Sequence, residues 1–113
     1  MKNNNYSSGG LIMGADSFFN SGPGDDPKTI FKDLVKKARH DYGFCGYTGT
    51  IAEKTQFKIV SKVPMTKSYW QSDEAQQKYG EGEKWGPALA APYCEEINPV
   101  LIIGWVFWGW ASG

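Results

Sequence analysis

Cysteine and histidine are scarce in this 113-residue sequence, which has two cysteines, Cys45 and Cys94, and one histidine, His40. Two cysteines are too few for a disulfide framework or a thiolate metal cluster. One histidine argues against a His-based zinc site. Neither a metal nor a cofactor is therefore expected. Excess charge is lacking as well. Twelve basic residues cancel twelve acidic ones, which removes the electrostatic argument for a nucleic-acid polymer or an anionic membrane as partner. The most apolar stretch, 100–111, is shorter than a membrane-spanning helix requires and contains Gly104 and Gly109. The opening residues, 1–10, are polar, without a secretory pattern. They are expected to form a flexible segment ahead of one domain over 11–113. These features together lead to the expectation of a soluble, reduced, cytoplasmic protein.

What the sequence does have is glycine (14 residues) and aromatic side chains (15%, with five tryptophans). Aromatic residues in excess build cores, interfaces or stacking surfaces for rings. The clearest element starts at Asp26, a good helix N-cap, followed by Pro27 at the first helical position. Ile30, Phe31, Leu34, Val35 and Ala38 then recur at helical spacing, and Gly43 is a natural stop. Lys28, Lys32, Lys36 and Lys37 fall outside that stripe and read as a solvated face. A first strand is expected over 11–19, broken by Asn20-Ser21-Gly22-Pro23-Gly24. Residues 55–63 alternate as a strand with one wet face, and 72–79 read as a short helix capped by Ser72. Residues 85–92 read as an extended segment bounded by prolines. The stretch 100–111 is apolar on both parities, which suits a central strand or one covered by another subunit. The order predicts an α+β domain, with a mostly antiparallel sheet of about four strands and two helices on one face. The two-sided apolar run also predicts a homo-oligomer.

The densest polar and glycine-rich stretch is Tyr42-Gly43-Phe44-Cys45-Gly46-Tyr47-Thr48-Gly49-Thr50-Ile51-Ala52-Glu53-Lys54, just after Arg39 and His40. Glycine allows close backbone approach to a ligand, and threonine and tyrosine hydroxyls both donate and accept. The loop is therefore a candidate ligand site. Tyr47, Thr48 and Thr50 would bond phosphate or ribose oxygens, with backbone amides beside Gly46 and Gly49. Arg39 or Lys54 would supply charge, and Tyr42 or a tryptophan such as Trp85 would stack on a base. The glycine spacing is neither a dinucleotide fingerprint nor a P-loop. If the chain is an enzyme, His40 and Glu53 are the candidate acid and base, although the reading leans against catalysis. Cys45 is a weak candidate nucleophile whose one possible activating histidine is His40.

Three blocks carry a resemblance. Met13-Gly14-Ala15-Asp16-Ser17-Phe18, then Tyr42-Gly43 with the stretch from Gly46 to Lys54, and finally Phe107-Trp108-Gly109-Trp110-Ala111-Ser112 are similar to a group of small proteins of tailed phages and prophages. Phe44-Cys45 stands where that group would have His-Gly. The first block makes Met13 an alternative start to Met1. The resemblance implies a phage origin. By analogy it suggests a small oligomeric protein that sequesters a host nucleotide-derived immune signal, such as a cyclic dinucleotide or an ADP-ribose derivative. Metal-independent cleavage of such a nucleotide and inhibition of a host protein are the two rivals.

Overall fold

The computed structural model describes residues 14–43 and 46–113. The expected flexible segment 1–10, residues 11–13 of the first predicted strand, and Cys45 lie outside them. Among the described residues four strands form one sheet: β1 (Ala15–Pro23), β2 (Phe57–Ile59), β3 (Ala88–Ile97) and β4 (Val100–Ser112), in the order β1-β4-β3-β2. β4 pairs antiparallel with β1 and β3, whereas β2 pairs parallel with β3. The domain is α+β with a mostly antiparallel sheet, as the pattern predicts.

Helix α1 (Pro27–Tyr42) forms for local reasons. The Asp26 carboxylate accepts the Lys28 amide at 3.1 Å and the Thr29 hydroxyl at 2.7 Å. The hydroxyl, together with the amides of this first turn, holds the Asp26 carboxyl below its ordinary pKa. At the other end Gly43 has a φ of 91° and donates its N–H to the Arg39 carbonyl. All five residues of the predicted apolar stripe lie in one cluster with Ala88, Ala90 and Phe107 of the sheet and with Ile51 and Ala52 of a short 3₁₀ turn, Ile51–Glu53. Within it the rings of Phe31, Phe57 and Phe107 meet pairwise at 5.1–5.5 Å, in the tilted and edge-on arrangements that aromatic quadrupoles favour.

The second helical segment is two short helices, α2 (Lys67–Gln71) and α3 (Asp73–Tyr79), where one helix over 72–79 is expected. Thr66 caps the first through the Tyr69 amide, and Ser72 caps the second through the Ala75 amide. They cover the other face of the sheet. Trp70 is fully buried, stacks on Trp108 at 5.8 Å, and packs with Leu89, Ala91, Tyr93 and Val106. The expectation of both helices on one face is therefore corrected: Ala88 and Ala90 face α1, while Leu89 and Ala91 face α2 and α3. Alternation along β3 allows this, because successive side chains of a strand point to opposite faces.

Other boundaries shift as well. The break expected at 20–24 lies partly inside β1, which continues to Pro23 at the sheet edge, where a missing amide is tolerated. The strand expected over 55–63 contracts to β2, and the segment expected to be extended over 85–92 divides, 85–87 belonging to a turn and 88–92 to the first half of β3. The apolar run at the end divides in two. From Gly104 onward β4 is mostly buried, flanked by both β1 and β3 as far as Trp108 and by β1 beyond it. Residues 100–103 extend past the end of β1, and three of the four are exposed. Among the described residues no helix is long and apolar enough to cross a membrane.

Candidate functional site

Helix α1 has a second face beside its buried stripe. Lys28, Lys32, Lys36 and Arg39 recur at intervals of four, four and three residues, so they line one side of the helix. A groove of about 590 Å³ runs along that side. Phe31 and the half-buried Val35 form its apolar floor, Lys32, Lys36, Arg39 and His40 form its rim, and Lys54 and Thr55 form the facing wall. A second depression of about 700 Å³ adjoins it and shares Phe31, Lys32 and Thr55. It continues toward the start of α1 past Lys28, with Phe57 and Ile59 of β2 on its far side. Like charges four residues apart on a helix repel, by about 0.2–0.5 kcal/mol per pair, so an anion bound in this groove would relieve the rim.

Lys28, Lys32 and Lys36, read from the pattern as part of a merely solvated face, thus line these two adjoining depressions, whereas Lys37 lines neither. Lys32, Lys36, Phe31, Val35 and Thr55 were missed as site residues. The available signal was the four-residue spacing of cations directly beside the apolar stripe.

The loop is a different matter. The Thr48 hydroxyl donates to Glu53 Oε2 at 2.7 Å, and the Thr48 amide reaches the same oxygen at 3.2 Å. The Thr50 hydroxyl lies 2.8 Å from that of Thr48 and accepts the Ala52 amide, capping the 3₁₀ turn. Gly49 donates its amide to the Ser112 carbonyl at 2.7 Å, and the Ser112 hydroxyl donates to the Gly46 carbonyl at 2.8 Å. Gly49 is buried at a φ of 69°, and a Cβ there would overlap the Asp16 carboxylate. Only glycine meets both conditions. These groups tie the loop to the end of β4.

Lys54 is buried, 3% exposed, and its ammonium donates to the carbonyls of Glu83, Lys84 and Gly86 at 2.9, 3.0 and 2.8 Å. A lysine has three N–H donors, so all of them are engaged. Burial lowers its pKa below the ordinary lysine value. The turn it holds presents Trp85, which is 76% exposed, with the Lys84 ammonium 5.1 Å from the ring centre. A small cleft of about 130 Å³ beside Trp85 shares Lys54 and Thr55 with the α1 groove.

Of the residues singled out in the sequence, Arg39, His40 and Lys54 therefore meet at the groove, and Trp85 lies across the Lys54–Thr55 ridge. Tyr42, Gly46, Tyr47, Thr48, Gly49 and Thr50 line neither the groove nor the small cleft. Tyr42 and Tyr47 are exposed. His40 lines the groove, whereas Glu53 lines the cleft and holds Thr48. Among the described residues no three His, Cys, Asp or Glu side chains gather as a metal site would need. Comparison with protein-family models, with curated proteins and with solved structures gives no match.

Proposed function

We propose that this chain is a binding protein for a small nucleotide-derived anion, held in the groove between α1 and the Lys54–Thr55 segment. One observation carries the reading: Lys32, Lys36, Arg39 and His40 rim an apolar floor of Phe31 and Val35. Cations beside an apolar floor suit a ligand with a phosphate and a ring. Arginine and lysine bind phosphate by different geometry but the same charge, and an aromatic floor accepts a base. Taken with the phage resemblance, the proposed role is to sequester a host immune signal, a cyclic dinucleotide or an ADP-ribose derivative, in the host cytoplasm and so to counteract antiviral defence. Binding is preferred to cleavage because Glu53, the candidate partner of His40, is engaged by Thr48.

Isothermal titration of the purified chain with cyclic dinucleotides and with ADP-ribose tests the reading. Binding is expected, with the nucleotide recovered intact after heat denaturation, and with Lys36→Ala weakening affinity at least tenfold. Recovery of altered nucleotide would instead indicate cleavage. Absence of binding by every nucleotide tried would overturn the reading in favour of a host-protein inhibitor.

A further inference from the structure

The β3–β4 hairpin projects past the body of the sheet. β1 ends opposite Gly104, so among the described residues no strand pairs with 100–103 of β4 on that side, where the Gly24 amide donates to the Ile103 carbonyl at 2.9 Å. On this arm Ile97, Val100, Leu101 and Ile103 are each half or more exposed. Leu101 and Ile103 share one face of this ribbon, while Val100 and its partner Ile97 share the other. Exposed apolar side chains gathered on a small domain mark an interaction surface, and a two-stranded ribbon has little stability of its own.

Charge indicates the occupant. From Trp85 to the end of the chain the only charged residues are Glu95 and Glu96, both on the arm. Glu96 pairs across the hairpin with Leu101. Cross-strand partners share a face, and Leu101 and Ile103 have the parity of Trp105 and Phe107, which pack on the α1 side. The arm therefore presents apolar side chains and a carboxylate on the same side of the sheet as α1. Its base adjoins the start of α1, where the Trp105 indole donates to the Asp25 carbonyl. The neighbouring depression offers apolar Phe31, Phe57 and Ile59 together with the cations Lys28 and Lys32. The Asp26 carboxylate also lines it and is engaged by the Lys28 amide and the Thr29 hydroxyl. An arm with acidic residues and no basic ones is poorly suited to an anionic bilayer.

We propose that two copies of this chain form a closed dimer by reciprocal docking, with the arm of each seated between α1 and β2 of the other. The contact is isologous, each arm meeting the other copy's groove, so the assembly closes at two subunits. It uses the depression next to the proposed nucleotide groove and does not depend on that groove having a ligand.

Sedimentation equilibrium of the full chain at micromolar concentrations tests this, with circular dichroism to verify folding. The parent is expected to be a dimer. The arm variant Leu101→Lys/Ile103→Lys and the groove variant Lys28→Glu/Ile59→Lys should each weaken dimerisation at least tenfold while staying folded, because these side chains are exposed. Mixing the two variants keeps one of the two contacts intact, since the groove variant's arm meets the arm variant's groove. The mixture should therefore dimerise more tightly than either variant alone. A monomeric parent would overturn the proposal, as would arm substitutions without effect. An arm-dependent dimer indifferent to the groove variant would mean arm-to-arm packing and would equally overturn it. So would a monomeric parent that floats with neutral lipid vesicles. Because the nucleotide reading is tested through Lys36, the two proposals fail separately.

Discussion

The Lys54 ammonium donates to the main-chain oxygen of Glu83, 29 residues further along the chain, at 2.9 Å. With the Lys84 and Gly86 carbonyls it closes a three-way contact that fixes the turn displaying Trp85. Lys54→Met keeps the length of the stem and removes the donors. Glu83 is exposed and Lys84 and Gly86 half-buried, so water can reach part of what the ammonium leaves. At roughly 1 kcal/mol for a hydrogen bond lost at such a site, urea denaturation should show a loss of about 1–3 kcal/mol. Loosening of the turn should also change the quenching of Trp85 by iodide. An unchanged midpoint and unchanged quenching would mean that water replaces the ammonium without consequence.

The Thr48 hydroxyl bridges Glu53 and Thr50 and does not line the groove. Thr48→Ala removes a hydrogen bond to a charged group, about 1.5–3 kcal/mol. The expected result is a less stable protein with unaltered nucleotide affinity. A stable variant that binds nucleotide tenfold more weakly would return the loop to the ligand site.

Phe107 is fully buried on the central strand, in contact with the rings of Phe31 and Phe57. Phe107→Ala should cost about 3–5 kcal/mol through lost packing and the cavity it leaves. Leu34 is half-buried at the margin of the same cluster. Leu34→Ala belongs at the low end of the large-to-small range, about 2 kcal/mol. Chemical denaturation of both variants checks the order. Equal losses would place the centre of the core elsewhere.

Asp26 holds its carboxyl below the ordinary value through the Thr29 hydroxyl and the first-turn amides. In the unfolded chain the group takes up its proton at a higher pH. The stability it contributes is therefore complete above the unfolded pKa and fades as pH falls through the folded one. Asp26→Ala should be less stable than the parent at neutral pH, and the gap should close on acidification. A gap independent of pH would mean that the carboxylate charge has no part in the cap.

Helix α1 was legible in the sequence because everything that makes it is local: Asp26, Pro27, the apolar stripe and Gly43 lie within one stretch. The buried half of β4 was legible too, since a strand apolar on both parities needs cover on both faces. Which face each helix takes was not, because Ala88 and Ala90 on one side and Leu89 and Ala91 on the other accept cover equally well. The parallel pairing of β2 with β3 rests on contacts across about thirty residues, and a three-residue strand has little pattern to show. The loop drew attention for its composition, yet threonine and glycine at those positions also make a self-contained turn. The groove escaped because Lys32 and Lys36 look like any solvated helix face until Thr55 and Gln56 are brought opposite them.

That facing wall leads to a graded prediction for Lys36, Arg39 and Tyr47. A hydrogen bond to a charged phosphate is worth about 1.5–3 kcal/mol, which is about 10- to 150-fold in affinity. Lys36→Ala and Arg39→Ala should each lower nucleotide affinity within that range. Both side chains lie on the exposed rim, so folding should be intact by circular dichroism. Tyr47 is exposed and lines neither depression along α1, so Tyr47→Ala should bind as the parent does. Raising salt should weaken the parent more than Lys36→Ala, because screening acts on the charge the variant has already lost. If Tyr47→Ala loses affinity while the two cation variants keep it, the ligand sits on the loop and the α1 groove is empty of function.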